Sequence, residues 1–151
     1  MLKKIFFVVS ILILAAGCDY KPIYSVSNKS DYKIVVTDIS GDKKINKFLI
    51  NNLNKNSRKN SGKIINIKID SEYSKIVLAK DVAGNITDYQ SKVITTFIIE
   101  QNQTSKSFVI SEKFNFQNMS DKYEEKSYEE NIKRSLATTI AQKLIIRLSI
   151  E

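Results

Sequence analysis

Lys63-Ile64-Ile65-Asn66-Ile67-Lys68-Ile69-Asp70-Ser71-Glu72-Tyr73 is the stretch whose reading decides the fold. Ile65, Ile67, Ile69, Ser71 and Tyr73 fall on one side of an extended chain, and Asn66, Lys68, Asp70 and Glu72 on the other. Successive side chains of a strand point to opposite faces, so the alternation predicts a long strand with one face buried and one in water. The strand is expected to continue, bent, through Ile76 to Lys80. Asp81-Val82-Ala83-Gly84-Asn85 then supplies turn formers, which predicts a hairpin tip exposed from Ala79 to Asn85. The returning strand is expected from Thr87 to Glu100, with Tyr89, Val93, Thr95, Phe97 and Ile99 on its inner side. Gln101 to Lys106 reads as a turn, and Phe108, Ile110, Phe114 and Phe116 mark a further strand. Glu112 interrupts that face, which places the strand near the sheet edge, where a charge reaches water and discourages strand addition.

On either side of these strands the period changes. Toward the N-terminus, Tyr32, Ile34 and Val36 alternate with Lys33, Val35 and Thr37 as a first strand, closed by Gly41-Asp42. Asp42 reads as a helix N-cap, because Ile45, Phe48, Leu49 and Leu53 follow at helical spacing. Asn54 to Gly62, rich in Asn, Lys and Ser, reads as a solvated turn. Toward the C-terminus, Ser120 or Asp121 caps a long amphipathic helix in which Tyr128, Ile132, Leu136, Ile140, Leu144 and Leu148 recur every four residues. The expected fold class is α+β: a four-stranded, mostly antiparallel sheet with two helices packed on one face, in the order β-α-β-β-β-α.

The N-terminus carries a different message. Met1-Leu2-Lys3-Lys4 precedes an apolar run from Ile5 to Ala16 broken only by Ser10. That run is about half the roughly 20 residues a membrane-spanning helix needs, so it reads as a cleavable export signal. It ends in Leu14-Ala15-Ala16-Gly17-Cys18, and Cys18 is the one cysteine in the chain. Small residues directly before a cysteine suit a lipoprotein signal peptidase, although the leucine stands one place earlier than in the usual lipobox. The competing reading is a conventional signal cut near Ala16, which leaves an unpaired exported thiol. The expected organisation is a signal peptide over residues 1–17, a lipidated arm over 18–31 containing the single proline, Pro22, and one domain over 32–151.

Charge and composition narrow the function. The chain holds 24 Lys+Arg against 16 Asp+Glu, and two of those lysines lie in the signal, leaving 22 − 16 = +6. In an exported, membrane-anchored protein this balance points to anionic lipid or lipopolysaccharide phosphates, and not to nucleic acid. Histidine is absent and the four glycines stand apart at 17, 41, 62 and 84. No metal cluster, Ser-His pair or glycine-rich phosphate loop is therefore expected, nor any cofactor or catalytic site. Glu124-Glu125 and Glu129-Glu130 read as solvated charge on the exposed side of a helix.

Cys18-Asp19-Tyr20-Lys21-Pro22-Ile23-Tyr24 is similar to the Cys-Gly-Phe-x-Pro-Leu-Tyr start of alphaproteobacterial members of the lipopolysaccharide-assembly lipoprotein family LptE. Lys80-Asp81 with Tyr89-Gln90 opening the next strand, and the closing Ala141-Gln142-Lys143-Leu144-Ile145-Ile146-Arg147-Leu148, extend the resemblance over nearly the whole mature chain. The resemblance implies a lipid-anchored outer-membrane protein that plugs the LptD β-barrel, lies on its periplasmic side, and assists lipopolysaccharide transport to the cell surface. It also implies lipopolysaccharide-binding lysines near the hairpin and before the last helix, carried over to Lys80 and Lys126, with Lys122 able to serve in place of Lys126. An ammonium at a loop tip meets a phosphate without being buried. Asp19 bears on sorting, since in enterobacteria an aspartate after the lipidated cysteine retains a lipoprotein at the inner membrane. The alternative is an accessory lipoprotein of another envelope lipid transporter, or a pilotin-like chaperone of a secretion barrel.

Overall fold

The computed structural model describes residues 32–150, apart from 59, 60, 102 and 103. Cys18, the signal and the arm lie outside the described residues. The elements run β1 (Tyr32–Gly41), α1 (Lys43–Asn56), β2 (Lys63–Lys80), β3 (Ile86–Gln101), β4 (Thr104–Gln117) and α2 (Lys122–Ile150). The sheet order is β1-β2-β3-β4. The first pair is parallel and the other two are antiparallel. A parallel pair needs a crossover, and α1 supplies it. The fold is thus the expected α+β arrangement.

The inner face of the sheet is the one read from β2. Ile65, Ile67, Ile69 and Ser71 are buried there beside Ser91, Val93, Thr95, Phe97 and Ile99 of β3. Both helices cover this face and complete one core with Ile45, Leu49 and Leu53 of α1 and Leu136, Ile140 and Leu144 of α2. Among the described residues the core runs from Tyr32 to Leu148, all of it retained in the chain from Asp19 onward.

Local chemistry sets the joints. In β1 the register slips between Val36 and Asp38, so Thr37 is an extra residue and Ile39 is aligned with Ile69. Such a bulge lets the strand run on to Gly41 with Ile39 kept on the side of Ile69, where it is 48% exposed. Gly41 has φ +87, and a Cβ there would lie 1.9 Å from the Ser71 carbonyl oxygen. That close approach lets the Asp42 amide donate to the same oxygen at 2.8 Å. Asp42 Oδ1 accepts from the amides of Lys44 and Ile45, both at 2.9 Å, and so satisfies donors that the first turn of α1 leaves free.

Some boundaries and faces differ from the sequence expectation. Helix α1 continues to Asn56 instead of stopping before Asn54, and Ser57 beyond it accepts from the Ile34 amide at 2.8 Å. The turn after β3 is tighter than Gln101–Lys106, because β4 already starts at Thr104. Phe114 is 46% exposed despite its parity, since β4 is an edge strand incompletely covered by α2. Glu112 does sit on that edge strand, but its carboxylate meets Lys143 of α2.

Candidate functional site

The hairpin end of the molecule gathers the polar side chains that the sequence analysis singled out. The tip is exposed throughout from Ala79 to Asn85. Asp81 holds it: its carboxylate accepts from the Ala83 and Asn85 amides at 2.8 Å and from Asn85 Nδ2 at 3.0 Å. These hydrogen bonds, led by that of the Asn85 side chain, keep the Asp81 carboxyl below its ordinary range. Gly84 takes φ +85, a left-handed conformation that glycine adopts without a Cβ penalty.

Lys80 ends β2 beside Ile86 and is exposed. Asn118 Nδ2 donates to the Ile86 carbonyl at 2.8 Å, and Lys122 Nζ donates to Asn118 Oδ1 at 2.9 Å. The fold therefore brings Lys80 and Lys122 to one corner. Lys126 is exposed one turn further along α2. Asp81, Asp88, Asp121 and Glu124 share this end, so the lysines do not stand in a purely positive field.

Behind the corner lies a cluster that the sequence analysis missed. Lys75 Nζ reaches Glu125 Oε1 at 2.6 Å and Glu129 Oε2 at 3.3 Å. It also stands 4.0 Å from the centre of the Tyr89 ring. Tyr73 donates its hydroxyl to Glu129 at 2.8 Å and lies 2.9 Å from Ser91 Oγ. Lys133 bonds Glu129 at 3.2 Å while resting 3.8 Å over the Tyr73 ring. Glu125, expected in solvent, is 6% exposed and also accepts from Lys122 at 2.8 Å. Hydrogen bonds from Lys122 and then Lys75 hold its carboxyl down at about 2. Burial opposes charge on Lys75, yet its two glutamate partners keep its pKa above the ordinary lysine value. Burial also raises the Tyr73 hydroxyl.

A carboxylate that titrates near 2 is a poor proton donor or acceptor near neutrality. The cluster's chemistry is that of a clamp, fastening the N-terminal half of α2 to the hairpin. Its signal was in the sequence. Glu125, Glu129, Ile132 and Leu136 continue the buried stripe of α2 at spacings of four and three, whereas a strict step of four leads to Tyr128, which is 38% exposed. Lys75 likewise keeps the inward parity of Tyr73. A carboxylate pair on one apolar stripe and a lysine on the other are the complement of each other.

A groove of about 430 Å³ opens between the end of β1 and α1. Ile39, Gly41 and Ile50 contribute apolar surface, and polar side chains including Lys43, Asn46 and Lys47 line the rest. No described helix is long and apolar enough to cross a membrane.

Several solved bacterial lipoproteins share this fold. Rare lipoprotein B from Shewanella oneidensis superposes with a TM-score of 0.52 at 12% identity, over 72% of this chain and 93% of that one. A minor lipoprotein from Acinetobacter baumannii gives 0.51 at 16% identity, over 75% and 92%. Lipoprotein B from Nitrosomonas europaea gives 0.55 at 11% identity, over 79% and 85%. At these identities the likeness is one of fold. No family profile and no curated protein sequence matches the chain.

Proposed function

We propose that this chain is a lipid-anchored envelope lipoprotein of the LptE type, acylated at Cys18, that seats in the LptD β-barrel of the outer membrane and assists lipopolysaccharide transport as a non-catalytic assembly factor. The observation that carries the reading is the coincidence of two independent features. A lipobox-like Leu14-Ala15-Ala16-Gly17-Cys18 stands ahead of a β-α-β-β-β-α domain, and that domain has the fold of bacterial lipoproteins. The LptE-like motifs fall in order on it: Lys80-Asp81 at the end of β2, Tyr89-Gln90 in β3, and Ala141 to Leu148 in the last turns of α2.

Labelled palmitate supplied to cells is expected to enter the wild-type protein and to be absent from Cys18→Ser, because a hydroxyl does not replace the acylated thiol. Purification of the tagged protein from outer membranes is expected to recover LptD in a one-to-one complex stable in mild detergent. Recovery with an inner-membrane transporter and no LptD would establish the second reading, an accessory of another envelope transporter or a pilotin-like chaperone, which Asp19 favours.

The lipopolysaccharide contact is assigned to Lys80 with Lys126, or with Lys122 in its place. Replacing Lys80 and Lys126 by Asp is expected to weaken lipopolysaccharide binding far more than the same change at Lys92 and Lys113, which lower net charge equally. Equal loss from both pairs would remove the assignment.

A further inference from the structure

The positive charge of this protein is concentrated at one end of its long axis. β2 has 18 residues. At roughly 3.3 Å each they span about 60 Å, several times the screening length of physiological salt, so the two ends act as separate electrostatic surfaces. Strand register and backbone contacts define the end at which the chain enters β1. Tyr32 is aligned with Lys63 and Lys33 with Ile64. The last turn of α1 returns here, where the Arg58 amide donates to the Tyr32 carbonyl at 3.2 Å. The last turns of α2 close it, with the Tyr32 hydroxyl donating to the Ile145 carbonyl at 3.5 Å and Leu148 beside Lys63 and Lys106.

Lys33, Lys55, Arg58, Lys63, Lys106 and Arg147 all belong to this end. Among the described residues the carboxylates nearest this end are Glu100, which is bonded to Lys68 at 2.8 Å, and Asp38, which is aligned with Lys68. At the opposite end Asp81, Asp88, Asp121, Glu124 and Glu125 offset the lysines around the hairpin. Thus, among the described residues, the basic excess is concentrated at this end and is not spread over the surface at large.

We propose that this basic end is a membrane-facing surface that binds the anionic headgroups of a bilayer. Charge complementarity supplies the attraction, and the course of the chain supplies the orientation. Residues before Tyr32 emerge at this end, and Cys18 lies 32 − 18 = 14 residues upstream. Fully extended, that arm reaches at most about 50 Å. The orientation rests on acylation of Cys18, but the affinity for an anionic surface does not. An acyl anchor would tether the domain, and the lysines would set which end it turns to the lipid, leaving the hairpin directed away.

The test uses the chain from Asp19 onward, which cannot be acylated, and vesicles of phosphatidylcholine with about 30 % phosphatidylglycerol. Co-sedimentation is expected with these vesicles, not with phosphatidylcholine alone, and is expected to fall steeply as salt rises from about 0.1 to about 0.5 M. The triple variant Lys33→Gln, Lys55→Gln, Lys63→Gln is expected to weaken binding about a hundredfold. Lys47→Gln, Lys92→Gln, Lys113→Gln, which removes the same charge elsewhere, is expected to change it only a few-fold. Circular dichroism of each variant verifies folding. Equal loss from the two triples, or binding indifferent to vesicle charge, would overturn the proposal. Neither outcome depends on whether palmitate labels Cys18, so the two ideas fail separately.

Discussion

From Leu136 to Leu148, α2 shares its core with Ile67, Phe97, Ile99 and Ile110, whereas from Lys122 to Lys133, where Ile132 is its one core residue, it holds Tyr73 and Lys75 through hydrogen bonds and ion pairs. The same helix on the same sheet face is fastened in two ways. Apolar contact is non-directional and grows with the area removed from water. The ionic clamp must offset the cost of desolvating its charges, so it contributes less stability and demands particular partners. The half nearer Tyr32 is therefore the thermodynamic base of the fold. The hairpin half is specified in register but less strongly held, and its amides in Lys122–Lys133 are expected to exchange with solvent before those in Leu136–Leu144.

The largest effect should come from the base. Phe97 is fully buried, and Phe97→Ala is expected to lower unfolding free energy by about 3–5 kcal/mol, measured by urea denaturation. A loss below that of any clamp variant would reverse the comparison.

Next comes the clamp. Glu125→Gln keeps the shape but removes the charge that Lys75 and Lys122 face, with an expected loss of about 1–3 kcal/mol. Its titration sharpens the point. The folded carboxyl is held near 2, below the ordinary value of 4.5. The native protein therefore keeps this group ionised at pH values where the unfolded chain takes up a proton. The stability it contributes is fully present above about pH 5 and is lost as pH falls toward 2. Denaturation midpoints should show this decline in the wild type and a shallower one in Glu125→Gln.

The smallest effect lies where the halves meet. Thr95 is fully buried opposite Ser71, and its hydroxyl has no hydrogen-bond partner. Thr95→Val replaces it with an apolar group of the same shape, and a gain of about 1 kcal/mol is expected in the same assay. A loss would mean that the hydroxyl is satisfied.

The contrast between the halves also marks what the chain spelled out. Where burial is apolar, periodicity was sufficient: Ile65, Ile67 and Ile69, and Leu136, Ile140 and Leu144, declare their faces because a side chain's direction follows from its position in a strand or helix. The Asp42 cap, the hairpin tip and the order of elements were legible for the same local reason. The corner of Lys80 and Lys122 was half legible, since the residue types were evident and their convergence through Ile86 and Asn118 was not.

Glu125 and Glu129 read as solvated charge because a carboxylate's preference for water is local, and the local Lys122 and Lys133 do not reveal that Lys75, 50 positions before Glu125, joins the two carboxylates from the sheet. The basic end was invisible for a related reason. Its cations come from both strands of the parallel pair, the ends of both helices and the start of β4, and no window of sequence contains them together. Local sequence fixes which way each side chain points; packing decides which distant charges it meets, because that depends on strand register and on the crossover that sets β1 beside β2.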